Sequence, residues 1–241
     1  MTAMRLTLLT LLCGCQPASV ARMDEGRSAK LSIDSFAEVR RDAERGTVIF
    51  ARSENLAREI QGSSIYSSLA AREDFAAMAI YFLDAYRADM RLRDPGNELV
   101  SNGVKTDQLG FRQVRFRQVY RGLSVVDCEL LVQFGPGGEL QLVQGGYAPT
   151  PDLVDIVPKL STAKAVELVA TRLGRDAKVD SPQIVVFADS VGRPRLAYQI
   201  HIGQGAPGGL RLLLDANDGT ELRRTPTSYP AKLDESSQLR D

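Results

Sequence analysis

Few side chains in this sequence are of the types that perform catalysis. Histidine occurs once, at His201 in the alternating run LAYQIHIG. A zinc protease site needs two histidines one helical turn apart and a glutamate base, so this sequence excludes it. A nucleophile activated by histidine would have to use His201, which the alternation places on the polar face of a strand. With no glycine-rich phosphate loop either, we predict a non-enzyme with no catalytic residues, no metal ligands and no cofactor.

Two of the three cysteines lie in an N-terminal signal. Arg5 precedes an apolar run, 6–12, that is too short to cross a bilayer as a helix. The stretch Leu12-Cys13-Gly14-Cys15 resembles the lipobox of bacterial lipoproteins. That resemblance implies cleavage after Gly14, a lipid on Cys15 that holds the protein to the membrane, and, with Gln16 next, export to the outer membrane of the cell envelope. The alternative is a plain secretory signal that is cleaved nearby.

The third cysteine and an acidic turn have structural explanations. Cys128 lies on the apolar face of an alternating run, where a lone cysteine acts as a small hydrophobic residue. The run Asp215-Ala216-Asn217-Asp218-Gly219 is similar to a calcium loop, but its spacing is short and the distal glutamate ligand is missing. We predict that it is a hairpin turn.

The charges give no sign of a nucleic-acid partner. Lysine and arginine together number 30, and aspartate and glutamate also number 30. A basic cluster does occur, but acidic residues on the neighbouring runs are expected to offset it; the cluster is Arg112, Arg115, Arg117 and Arg121, and the acids are Asp127, Glu129 and Glu139. A balanced chain has no net attraction for nucleic acid or for anionic membranes.

An alternating pattern between Leu109 and Tyr147 predicts the central structural element. Val126, Cys128, Leu130, Val132 and Phe134 occupy one parity of the run, with mainly polar residues between them. Such alternation is typical of a half-buried antiparallel sheet. With turns at 121–122 and 135–138, the stretch predicts a three-stranded meander.

The segment before the meander predicts a covering helix. Phe75, Met78, Ala79, Phe82 and Tyr86 form an apolar stripe, so we predict a helix over 69–90 that Ser68 caps. We expect it to pack on Phe116, Val126, Leu130 and Val132. Further upstream we predict a helix over 36–45, a strand over 47–50 and a helical turn over 55–60.

A second helix and meander follow a proline-rich linker, 149–158. Ser161 and Gly174 bound the predicted helix, and the predicted strands are 183–188, 195–202, 210–216 and 220–222. The fold class is therefore α+β, with two modules that each pack a helix on an antiparallel meander, as in cystatin-like folds. The predicted divisions are a signal peptide (1–14), a tether and N-terminal segment (15–45), two domains (46–148 and 149–222) and a flexible C-terminal tail (223–241).

These patterns resemble a known family. The stretch 114–126, VRFRQVYRGLSVV, looks like the hallmark of the fungalysin/thermolysin propeptide domain, through Arg115, Gln118, Tyr120 and Gly122. The second module is similar to a PepSY-type propeptide domain; its matching residues include Tyr198, Asp215 and Gly219. Two positions depart from the family pattern, since Ser124 replaces a usual proline and Asp127 a usual glycine.

The resemblance implies a role without catalysis. In thermolysin-like zymogens such domains precede a zinc protease domain, which they occlude and help to fold. It therefore implies a membrane-tethered, propeptide-like protein that binds, inhibits or chaperones a thermolysin-like metalloprotease. The alternatives are a cell-envelope binding lipoprotein with no protease partner and a truncated zymogen without its catalytic domain.

Overall fold

A computed structural model of the protein describes residues 39–42, 47–51, 62–153, 155–174, 179–188, 193–203 and 209–227. The predicted signal peptide, the helical turn over 55–60 and the end of the tail lie outside these residues. The described part is an α+β fold with a mostly antiparallel sheet, which confirms the predicted class. None of its helices is long and apolar enough to cross a membrane.

The first half of the sheet has six strands. They are β1 (Val39–Asp42), β2 (Thr47–Ala51), β3 (Leu99–Thr106), β4 (Arg112–Tyr120), β5 (Leu123–Phe134) and β6 (Leu140–Gly146). Their order is β1-β2-β6-β5-β4-β3, and each pair is antiparallel. The predicted meander, β4 to β6, is confirmed, as is the strand over 47–50.

The predicted helix over 36–45 is wrong. Residues 39–42 form β1 instead, with Val39 opposite Phe50 and Asp42 opposite Thr47 in an antiparallel hairpin. Pairing with β2, which in turn pairs with β6, overrides a weak local helical spacing.

Four helical segments precede β3 or lie beside it. They are α1 (Ser64–Ala71), α2 (Phe75–Ala85), α3 (Arg87–Met90) and α4 (Pro95–Glu98). The single helix predicted over 69–90 is therefore wrong, because the helix is interrupted at Glu73, whose φ is 53°. Asp74 then caps α2 by accepting a hydrogen bond of 3.1 Å from the N–H of Ala77, and Ser68 lies inside α1.

The predicted stripe on α2 does form the core. Phe75, Met78, Ala79, Phe82 and Tyr86 are buried, and they belong to one cluster with Phe116, Leu130 and Val132 of the sheet. Burial of each large apolar side chain contributes about 1.5–3 kcal/mol, so the helices and the sheet stabilise each other.

Val126 does not join this core, contrary to the prediction. It packs instead beside Val185 and Phe187 of the second half. The register between β4 and β5 shifts here, from Arg117 opposite Glu129 to Val119 opposite Ser124. The extra residues of β5 form a bulge around Asp127, whose φ is 58°, and the bulge reverses the alternation that the sequence suggested.

The described residues of the second half form one helix and four strands. They are α5 (Thr162–Leu173), β7 (Gln183–Ala188), β8 (Pro194–Ile202), β9 (Leu210–Asp215) and β10 (Glu221–Pro226). Ser161 caps α5, as predicted, and accepts a hydrogen bond of 3.2 Å from the N–H of Lys164. Ala165 and Val169 pack on the sheet, with the apolar residues Tyr198, Ile200, Leu212 and Leu214.

Two features of this half bear on the predicted divisions. The strand β10 continues to Pro226, so the flexible tail predicted from Arg223 begins too early; residues 223–226 pair with 210–213 of β9.

The strands β7 to β10 pair in chain order, and β7 also lies parallel to β5 through Val125 and Val186. One edge of β5 thus pairs with β6 near its end and with β7 near its start.

Candidate functional site

Gln118 holds the start of the linker against β4. The residue is 1% exposed, and its side-chain amide bonds to both backbone groups of one residue. Nε2 donates to the carbonyl of Ala148 at 2.8 Å, and Oε1 accepts from the N–H of Ala148 at 2.9 Å. Because the buried amide satisfies the buried N–H and C=O groups of Ala148, glutamine at this position has a structural explanation.

Two tyrosine hydroxyls hold the linker further along. Tyr120 donates to the carbonyl of Leu153 at 3.1 Å, and Tyr198 donates to the carbonyl of Leu160 at 2.7 Å. The first tyrosine belongs to β4 and the second to β8, so each half of the fold fixes one end of the linker. Both rings are buried.

Glu98 completes this arrangement, although the sequence did not single it out. Glu98 is 7% exposed as a whole residue. Its carboxylate accepts hydrogen bonds from the N–H groups of Arg93 and Asp94 at 3.0 and 2.8 Å. The hydroxyl of Thr150 also donates to it, at 2.7–2.8 Å. The sequence feature that could have pointed to Glu98 is an acidic residue four positions after Asp94, the N-cap of α4. We call Glu98, Gln118, Tyr120 and Tyr198 the linker clamp.

The turn between β4 and β5 explains Gly122. Arg121 and Gly122 both have positive φ, 48° and 83°, as a two-residue hairpin turn of the right twist requires. Glycine adopts this conformation without steric cost. The neighbouring Arg121 adopts it too, and its guanidinium lies 5.2 Å from the ring centroid of Tyr120.

Asp215 and Gly219 form the predicted hairpin turn between β9 and β10. Asp215 is buried; one carboxylate oxygen accepts from the N–H of Asn217 at 2.8 Å and the other from Arg195 at 3.2 Å. Gly219 has a φ of 75°, and a Cβ there would lie 2.5 Å from Cδ1 of Leu168 on α5. These two residues therefore shape the turn and let it approach the helix.

Arg115 differs from the other motif residues. It is exposed on β4, and it makes no hydrogen bond, ion pair or ring contact within the described residues. Cys15, the predicted site of lipidation, lies outside them.

Asp127 has partners that the sequence did not predict. We expected it to offset the arginines of β4, but it binds two arginines of the second half. Arg211 makes a bidentate contact at 2.7 and 2.9 Å, and Arg223 donates at 2.9 Å. Arg223 also lies 4.7 Å from the ring centroid of Phe187. The bulge of β5 is thus attached to β9 and β10.

The two residues with catalytic potential, Cys128 and His201, both lie on strands. Cys128 is buried, as predicted, and burial together with the nearby Asp127 carboxylate raises the pKa of its thiol to about 12. His201 shares a strand face with Gln199, and the Nε2 atom of Gln199 lies 3.3 Å from the Nε2 atom of His201. A thiol with such a pKa is not a nucleophile at neutral pH.

Apart from Arg115, the motif residues of the two halves thus contact the protein's own linker and turns, and this arrangement can fix how the two halves sit together. Residues 97–147 match the family model described as Fungalysin/Thermolysin Propeptide Motif. Thermolysins of Alicyclobacillus acidocaldarius subsp. acidocaldarius and of Bacillus caldolyticus are 28% identical over 181 residues, which is 67% of this chain and 32% of each relative. A transglutaminase-activating metalloprotease of Streptomyces mobaraensis is 27% identical over 136 residues, 52% of this chain and 18% of the relative.

The matched part of the thermolysins is the propeptide region, and the chain spans about a third of their length. Among solved structures, the C-terminal domain of Bacillus megaterium YpeB is a loose match, with a TM-score of 0.34 and 16% identity over 65% of each chain. The resemblance of 149–222 to a PepSY-type domain stays a prediction. Residues 97–147, however, match a fungalysin/thermolysin propeptide motif, as the sequence resemblance implied, within a longer similarity to thermolysins.

Proposed function

We propose that this protein is a non-catalytic partner of a thermolysin-like zinc metalloprotease, which it binds and thereby inhibits or helps to fold. The observation that carries the proposal is the propeptide motif at 97–147, within a longer match to the propeptide region of thermolysins. The linker clamp supports it physically. A surface built from two halves binds more tightly when their arrangement is already fixed, because less ordering accompanies binding.

The test uses the purified full chain and thermolysin. Cleavage of a fluorogenic peptide by thermolysin is followed at increasing concentrations of the chain, and the yield of active enzyme is followed when denatured thermolysin refolds with or without it. We expect saturable inhibition, a higher refolding yield, or both. No effect in either assay, with thermolysin and with any metalloprotease encoded beside this chain, contradicts the proposal.

The linker clamp supplies a variant that tests this support. The double variant Tyr120→Phe, Tyr198→Phe removes only two hydroxyls, which donate to the carbonyls of Leu153 in the linker and of Leu160 just after it. A typical intramolecular hydrogen bond contributes about 1 kcal/mol, so this variant should stay folded. We expect it to inhibit thermolysin more weakly than the native chain while its circular dichroism spectrum is unchanged.

We also propose that the protein is exported and anchored in the cell envelope, at the outer membrane, by a lipid on Cys15. The lipobox-like stretch Leu12-Cys13-Gly14-Cys15 motivates this proposal. Two or three acyl chains hold a protein stably on a bilayer, since each buried methylene contributes about 0.8 kcal/mol. Metabolic labelling with an alkyne-tagged fatty acid should label the native chain and not Cys15→Ala. Equal labelling of the two, or none of either, refutes the anchor.

A further inference from the structure

One face of the first half of the sheet carries three cations that the helices do not cover. Val114 and Phe116 of β4 point into the core, so the alternate residues Arg115 and Arg117 point to the opposite face. Lys105 of β3 joins them there, because it lies opposite Gln113, which has the same parity. All three cations are exposed. We call Lys105, Arg115 and Arg117 the cationic face.

These cations have no acidic partner within the described residues. Neither Lys105 nor Arg115 makes a side-chain hydrogen bond or an ion pair there, and Arg117 only donates to the hydroxyl of Ser124, at 3.5 Å. Glu129 lies opposite Arg117 on β5 but forms no ion pair with it in the described part of the chain. The second half is different, since four of its arginines are each paired with a carboxylate: Arg195, Arg211, Arg223 and Arg224.

Arg115 lies beside an irregularity in the neighbouring strand β3. The register of β3 and β4 slips by one residue between Ser101 and Val104, so Arg115 faces the bulge that contains Gly103. Gly103 has a φ of 101°, and an added Cβ there would meet nothing within 4 Å. No side chain at that position stands between the guanidinium and the outer edge of the sheet.

We propose that the cationic face binds a carboxylate-bearing surface of the metalloprotease partner, with Arg115 as its central contact; this inference rests on the proposed function. Guanidinium groups bind carboxylates with two parallel hydrogen bonds, and both arginines have donors available. The surroundings of the cations fit a folded protein, because Glu129 and the amides of Gln113 and Gln144 share the face and would need polar partners once binding displaces their water. Val100, which is 37% exposed, supplies an apolar contact beside Arg117.

The test compares binding of the native chain and of charge-reversed chains to a catalytically inactive thermolysin variant. The main variant is Lys105→Glu, Arg115→Glu, Arg117→Glu, and Arg115→Gln tests the central contact alone. We expect the triple reversal to raise Kd at least tenfold at low ionic strength, with most of the loss in the association rate, and Arg115→Gln to raise it by about three- to tenfold. Added salt should weaken binding of the native chain and leave the triple variant almost unaffected.

Lys164→Glu is the matched control. Lys164 is an exposed lysine of α5 that pairs with Glu167 in the described part of the chain, so its reversal changes the net charge without touching the cationic face. Circular dichroism and the urea midpoint should be unchanged in all variants, since the substituted side chains are exposed. An equal loss of affinity in Lys164→Glu would show that net charge acts, and would overturn the inference.

Two further outcomes separate this inference from the proposed function. If the native chain binds thermolysin and the triple variant binds equally well, the cationic face is not the contact, and the proposed function stands alone. If the native chain binds no protease but binds vesicles containing anionic phosphatidylglycerol, and the triple variant does not, the face is a membrane contact and both proposals fail.

Discussion

Gln118 allows the sharpest test of the linker clamp. The substitution Gln118→Leu keeps the approximate size of the side chain and removes both bonds to the backbone of Ala148, which is itself buried. Each buried backbone group left without a partner costs about 1–3 kcal/mol, so the loss should be about 2–5 kcal/mol, reduced a little by the apolar leucine. In a protein of this size each kcal/mol lowers Tm by about 2–4 °C.

The measurement is urea unfolding followed by circular dichroism, with Gln113→Leu as the control. Gln113 lies on the same strand, makes no side-chain hydrogen bond in the described part of the chain and is only half-buried. Its substitution should change the free energy of unfolding by less than about 0.5 kcal/mol. A loss below about 1 kcal/mol in Gln118→Leu would refute the view that this amide holds the linker.

The variant Gln118→Glu adds a dependence on pH. A protonated carboxyl group has one donor and one acceptor and can replace the amide, whereas a buried carboxylate has no donor for the carbonyl of Ala148. Burial raises the pKa of the folded variant's carboxyl group above the unfolded value of about 4.3. Relative to the native protein, the variant should therefore be as stable below pH 4.3 and lose stability as the pH rises through its folded pKa. A stability difference that does not change with pH would contradict this reasoning.

Three other predictions follow from single positions. Both Asp127→Ala and Asp127→Gly lose the same ion pairs, but Asp127→Gly should be more stable by about 1 kcal/mol in urea unfolding, because only glycine adopts a φ of 58° without strain; equal values would contradict this. Cys128 should not react with a thiol reagent at pH 8 until the protein unfolds, because its pKa of about 12 in the folded state keeps the thiol protonated. The contribution of the protonated Cys128 thiol to the free energy of unfolding is complete below pH 9 and is lost as the pH rises toward 12. Gly219→Ala should lower the free energy of unfolding by at least about 1–3 kcal/mol, because the new methyl group overlaps Leu168, and Gly174→Ala, which meets nothing within 4 Å, should cost less.

Local patterns predicted most of the strands and failed where distant parts of the chain decide the structure. Alternation located β4, β5 and β6 because one face of each is buried against helices. It could not show that β5 changes face at Asp127, because the bulge depends on partners almost a hundred residues away, Arg211 and Arg223. The break between α1 and α2 was missed for a different reason. The stripe from Phe75 to Tyr86 shows where the apolar face of the helix lies, but it does not show where the helix begins, which the cap residue Asp74 decides.

The sequence predicted which residues belong to the candidate site, but it did not predict what these residues contact. The resemblance selected Gln118, Tyr120 and Tyr198, but their contacts lie at least 30 residues away along the chain, and no periodicity indicates such pairs. The prolines of 149–158 indicated a linker between domains, which usually implies mobility. They gave no indication that backbone carbonyls in this segment and on both sides of it accept hydrogen bonds from side chains of both halves.

The double pairing of β5 has a consequence for how the chain is made. Synthesis runs from the N-terminus, and a domain that emerges early folds before the rest is available. The first half can close around its core at once, but the edge of β5 near Val125 stays open until the linker, α5 and β7 have all followed. An open strand edge attracts other strands, so the half-made protein is the form most prone to aggregate. A nascent chain stalled before β7 should therefore need a holding chaperone that the finished protein does not.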